Sequence, residues 1–285
     1  MMRSIKKYRA YWVGFLTFIF APFYGATAAF ADLPVNWQLG FQAAASPIME
    51  SITGFHNFLL VVITAITLFV LVLLVTIMVR FNSRANPEPS TRTHNTLLEV
   101  IWTTVPILIL VVIAIPSFRL LYAEDVVPES DMTVKLIGNQ WYWTVEYPDH
   151  EDLSYDIIML EDDERKADDP RLLAVDNDIV VPVNKTVRVI TTSVDVIHSF
   201  ATPALGVKID AVPGRLNETW FKATREGTFY GQCSELCGAR HAFMPTAIRV
   251  VSEQEFAAWL EEAQEEFGAV EQEHPVQLAA NAATR

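Results

Sequence analysis

Cysteine is nearly absent: Cys233 and Cys237 are the only two in 285 residues. Two thiols cannot build a disulfide framework, so they form one bridge or bind something together. No C-x-x-C-H occurs, which excludes covalently attached haem on this sequence. Basic residues are scarce in the second half. From Glu124 onward 30 acids face 13 bases, a net charge of −17. Such a surface repels nucleic acid and attracts basic partners, most strongly at low ionic strength. Nucleic-acid binding is therefore excluded. No internal repeat is visible.

The first half is the reverse, with 4 acids against 8 bases. Arg3, Lys6, Lys7 and Arg9 precede a short apolar run from Tyr11 to about Phe23, and Ala29-Phe30-Ala31 fits a small-residue cleavage site. This is the layout of a secretory signal peptide. No charge occurs from Phe58 to Val79, and those 22 residues are almost all Val, Ile, Leu and Phe. As a helix they would span ~33 Å at the usual rise, enough for a ~30 Å hydrocarbon core. A second charge-free stretch, Val100 to Phe118, contains Pro106 and Pro116. Neighbouring helices can satisfy the backbone groups that such prolines free. Arg80, Arg84 and Arg92 lie between the stretches against one acid, Glu88. The positive-inside rule places that loop in the cytoplasm and the acidic part outside.

From Met132 the pattern changes to short runs such as Thr133–Leu136, Trp141–Tyr147, Ile179–Val183, Thr186–Thr191, Thr219–Ala223, Gly227–Tyr230 and Thr246–Val251. Strands this short and this frequent predict a sandwich or small barrel. Ser252 followed by Glu255 predicts a capping box opening a helix to about Phe267. The acidic stretch Glu161–Asp169 reads as a solvated loop. The expected organisation is a signal peptide (1–31), a periplasmic segment (32–57), a first transmembrane helix (58–79) and a cytoplasmic loop (80–99). A second transmembrane helix (100–121), a periplasmic domain (122–267) and a polar tail (268–285) complete it.

Chemistry concentrates between Cys233 and Met244, where thiolates, imidazole and thioether follow the spacing C-x3-C-x3-H-x2-M. Thiolate with thioether favours copper, and thioether is not an ordinary zinc ligand. Blue-copper sites take one histidine from a distant segment, and His198 can supply it 35 residues earlier. The second cysteine is what differs. Two thiolates can each bridge two coppers, so that one electron is shared and little rearrangement accompanies its transfer. A lone C-x3-C in an oxidising compartment is usually a disulfide. The surrounding soft donors argue against that here.

These residues closely resemble subunit II of the haem–copper cytochrome c oxidases. The resemblance runs from about Pro47 to Trp259 and includes Gln140-Trp141-Tyr142-Trp143, Asp195-Val196-Ile197-His198-Ser199 and Pro213-Gly214-Arg215-Leu216-Asn217. It implies a two-helix transmembrane hairpin, an all-β cupredoxin-like Greek-key barrel with a short C-terminal helix, and a binuclear copper centre called CuA. By resemblance, Cys233 and Cys237 bridge the coppers. His198 and Met244 complete one copper, and His241 with the backbone carbonyl of Glu235 completes the other. The Glu235 side chain would help bind magnesium at the boundary with subunit I. Glu99 would open a proton pathway, although a carboxylate at a helix N-terminus is also a simple dipole partner. Trp141 would be where electrons from cytochrome c enter, with Glu146, Asp176 and Asp195 around the docking site. The expected location is a bacterial inner membrane, in complex with subunit I and other oxidase subunits. The alternative reading is a membrane-anchored copper-delivery or thiol-redox protein, which would be expected to show a thioredoxin-like βαβ pattern.

Overall fold

A computed structural model describes residues 33–151 and 153–268, so the signal-peptide reading and nearly all of the tail lie outside the described residues. Two long helices come first, α1 (Pro47–Arg80) and α2 (Thr96–Asp125), both long and apolar enough to cross a membrane. Their ends are set by local chemistry. Ser46 caps α1 by accepting the Met49 N–H, with Pro47 in the first turn, where its missing donor costs nothing. Asn95 caps α2 by accepting from Leu97 and Leu98. Both helices overrun the charge-free stretches, because capping chemistry rather than hydropathy ends a helix. Pro106 and Pro116 both sit inside α2.

The outer domain has ten strands: β1 (Met132–Asn139), β2 (Tyr142–Tyr147), β3 (Leu153–Ile157), β4 (Ile179–Pro182), β5 (Thr186–Ser193), β6 (His198–Thr202), β7 (Val207–Ala211), β8 (Asn217–Lys222), β9 (Gly227–Gln232) and β10 (Pro245–Val251). One sheet runs β3-β2-β1-β5-β8, a second β4-β10-β9, and β6 pairs with β7. The β1–β5 and β4–β10 pairs are parallel and the others antiparallel. In β1, β2 and β5 burial alternates strictly along most of the strand, as a one-sided sheet requires. The inward residues include Leu136, Trp143, Val189, Phe221, Phe229 and Ile248. Burying each such large apolar side chain contributes about 1.5–3 kcal/mol. The architecture is the expected helical hairpin carrying a cupredoxin-like β domain.

Strands β3, β6 and β7 are additions to the sequence reading. All five residues of β6 are buried, so His198–Thr202 shows no period-two alternation. The helix α3 (Glu253–Phe267) opens with the expected capping box, Ser252 and Glu255 satisfying each other's backbone. It lays Trp259 on Tyr147 at 5.4 Å between ring centroids and Phe267 on Tyr155 at 4.8 Å.

The hairpin and the β domain are joined by hydrogen bonds as well as by chain. Ala45 donates to the Ala204 carbonyl at 2.8 Å and accepts from Thr224 at 2.9 Å. The Ser46 hydroxyl donates to Leu205 at 2.6 Å, and the Trp220 indole donates to Ala123 at the end of α2 at 3.1 Å.

Candidate metal centre

The segment from Cys233 to Met244 is the loop between β9 and β10, and His198 is the first residue of β6. Backbone bonds hold this loop in place. Cys233 donates to the Met244 carbonyl at 3.0 Å, closing the loop on itself. Ser234 donates to Ser199 at 3.0 Å, pinning it to β6. Cys233, Cys237, Met244 and His198 are all buried, whereas His241 is partly exposed.

The donor atoms converge. The Cys233 and Cys237 sulfurs are 3.8 Å apart, far beyond the ~2.05 Å of a disulfide, and both thiols are free. His198 Nδ1 lies 3.9 Å from the Cys233 sulfur, and His241 Nδ1 lies 3.5 Å from that of Cys237. The Glu235 carbonyl is 3.4 Å from the Cys233 sulfur. One donor atom each from His198, Cys233 and Cys237 falls within 4.8 Å of the others. Two thiols, two imidazoles and a carbonyl, with Met244 buried at the end of the same loop, form a set that fits copper.

The two thiols are electrostatically unlike. Burial pushes Cys233 up, but hydrogen bonds with His198 and the Glu235 and Ser199 backbone outweigh it and bring the thiol down to about 6. Burial and the charge of Cys233 together drive Cys237 to about 12. Without metal, the two thiols are thus pushed in opposite directions, Cys233 down and Cys237 up.

The strand-like run expected from Trp141 to Tyr147 begins one residue later, at Tyr142. Trp141 lies in the turn before β2, partly exposed, while Trp143 inside β2 is fully buried. Strand alternation therefore says nothing about which way Trp141 faces. The Trp141 indole donates to the Cys237 carbonyl at 3.2 Å, and the Gln140 amide donates to the same oxygen at 2.8 Å. Gly238 makes this approach possible. A Cβ there would stand 3.1 Å from Gln140 Nε2 and 3.2 Å from the Trp141 ring, and its φ of +119° suits glycine. Beside Trp141 lies an open cavity of about 480 Å³, walled by Tyr142, Met159, Glu161, Arg240 and Phe243 among others.

The remaining expected site residues sit as follows. Glu146 pairs with Lys135 at 2.7 Å. Asp176 accepts from the Ile158 and Asn177 backbones, and partial burial raises its carboxyl above the ordinary value despite those bonds. The Asp195 carboxylate accepts from Gln140 and Val196 and contacts the His198 ring. Glu235 is exposed. Glu99 lies in the first turn of α2, far in sequence and element from the copper loop, and accepts from the Asn95 backbone at 3.3 Å. Sequence reasoning missed Arg240, whose guanidinium reaches Glu161 at 2.6 Å and so ties the copper loop to the exposed acidic loop.

Comparison with known proteins shows the family of the chain. The family described as "Cytochrome C oxidase subunit II, periplasmic domain" matches residues 132–251, and "Cytochrome C oxidase subunit II, transmembrane domain" matches residues 34–120. A probable cytochrome c oxidase subunit 2 of Rickettsia bellii is 56% identical over 231 residues, covering 81% of this chain and 86% of its own length. The cytochrome c oxidase subunit 2 of Phytophthora megasperma is 45% identical over 236 residues, covering 81% and 89%. The crystallised periplasmic domain of subunit II from Bradyrhizobium japonicum is 60% identical, covers 50% of this chain and 99% of its own, and has a TM-score of 0.47. With both its helical and its β portions matched, and relatives aligned over most of their length, the chain belongs to the cytochrome c oxidase subunit II family.

Proposed function

We propose that electrons from a soluble, basic cytochrome c enter this chain at Trp141, reach a two-copper centre and leave for a haem in subunit I. Cys233, Cys237, His198, Met244, His241 and the Glu235 carbonyl would hold the coppers, the two thiolates being shared between them. Copper held by these residues would supply one-electron redox chemistry, with the charge shared through the two thiolates. The protein's part is to hold the donors fixed and dry.

The observation that carries this reading is the hydrogen bond from the Trp141 indole to the Cys237 carbonyl. It joins a partly exposed ring to the backbone of a bridging cysteine without an intervening gap. The net −17 of the outer half supplies long-range attraction for a basic donor, and Glu146, Asp176 and Asp195 contribute to it locally. The arginine-rich loop between the helices supports a bacterial inner membrane orientation with the β domain in the periplasm. The Glu235 carboxylate is free to reach a magnesium ion shared with subunit I. Glu99 stands at the cytoplasmic end of α2, as the mouth of a proton pathway would.

Metal analysis and electron paramagnetic resonance of the assembled oxidase test the centre. Two coppers per chain at this site and one unpaired electron shared by both are expected, and Cys233→Ser abolishes the sharing. A single copper at this site, or a Cys233–Cys237 disulfide in the loaded protein, overturns it.

A further inference from the structure

The His198 ring is constrained on several sides. Its Nε2 lies 2.8 Å from Asp195 Oδ1. Asp195 is in turn fixed, with Oδ1 accepting from the Val196 N–H at 2.6 Å and Oδ2 from the Gln140 N–H at 2.7 Å. One face of the ring rests on the backbone of β1. A Cβ at Gly138 would lie 2.7 Å from His198 Cδ2 and 2.9 Å from Cγ, so only glycine leaves room for the ring. The Trp143 ring meets it edge-on at 5.9 Å, and His198 is completely buried.

We propose that Asp195 and Gly138 are positioning residues that set the His198 imidazole for metal ligation. A carboxylate can only accept, so the ring's proton resides on Nε2 and the lone pair on Nδ1. Nδ1 is the atom that faces the Cys233 sulfur. The contact thus selects the ligating tautomer, and Gly138 sets the plane of the ring. A carboxylate behind a ligating imidazole also increases its donor strength, and losing such a partner typically costs about 10–100-fold in metal affinity. Asp195 therefore does more than lend charge to a docking surface: both its oxygens are engaged inside the domain. Through Gln140, the same carboxylate also fixes the residue preceding Trp141.

This inference rests on the reading of His198 as a copper ligand, and copper content of the wild-type oxidase checks that premise separately. The test is copper loss from the assembled oxidase to a chelator, followed with the paramagnetic resonance of the centre. Asp195→Ala is expected to lose copper about tenfold faster or more and to change the copper hyperfine pattern. Asp195→Asn keeps an oxygen able to accept from Nε2 and should fall between Ala and wild type. Gly138→Ala, which changes no charge, is expected to perturb the spectrum while the salt dependence of donor binding stays as in wild type. Wild-type spectrum and copper retention in Asp195→Ala, with only donor binding weakened, would overturn the proposal and leave Asp195 a docking charge.

Discussion

The Trp141 indole and the Cys237 carbonyl share a hydrogen bond of 3.2 Å, which places an aromatic ring at the surface in direct contact with the copper loop. Replacing Trp141 by Gln removes the ring from the route. Electron transfer within the donor complex should fall by an order of magnitude or more, while donor affinity and its salt dependence change little. Stopped-flow reduction at saturating donor measures this. Weakened docking with unchanged internal transfer would make Trp141 a packing residue.

Neutralising the acids proposed to dock the donor should act on encounter instead. Glu146→Gln with Asp176→Asn is expected to lower the association rate a few-fold at low salt and to flatten its ionic-strength dependence. Each exposed charge is worth only about 0–1 kcal/mol, and Glu146 is already paired with Lys135, so single changes should be modest. The resonance spectrum of the copper centre should not move. Unaltered salt dependence in the double variant would remove both residues from the docking face.

Glu99 stands apart from the copper loop, so its effects should separate cleanly from those above. Glu99→Ala should slow steady-state turnover of the assembled oxidase and leave copper content and donor binding intact. Turnover equal to wild type at saturating donor returns Glu99 to capping Asn95 and α2.

Ser252→Ala removes the side chain that accepts the Glu255 N–H at the start of α3. The outer domain should lose about 1 kcal/mol of stability. Thermal melting of the intact protein would register it as a lower midpoint, with the copper centre unchanged before the transition. An unchanged midpoint would mean that the aromatic packing of α3 on Tyr147 and Tyr155 alone sets its stability.

The copper loop was legible in the sequence because its donors are contiguous and their spacing survives whatever the rest of the chain does. The charge-free runs of α1 and α2 and the capping box of α3 are local signals of the same kind. What escaped was set by tertiary context. Strand β6 is buried along its whole length, so it lacks alternation. Trp141 falls one residue before β2, so its facing obeys the turn and not the pleat. Asp195 reads as one more surface acid, and only the path of the chain from β5 into β6 turns its carboxylate onto His198 three residues on. The Arg240–Glu161 pair joins residues 79 apart, and no spacing rule anticipates it.

The bonds at Ala45, Ser46 and Trp220 anchor the β domain to both membrane helices at once. A head mounted in this way cannot swing out to collect its cargo as a carrier on a flexible arm does. It is moored at two points, one beside the start of α1 and one near the end of α2. If the proposed donor is a soluble protein, the travelling falls to that donor, because the receiving domain is fastened at both helices.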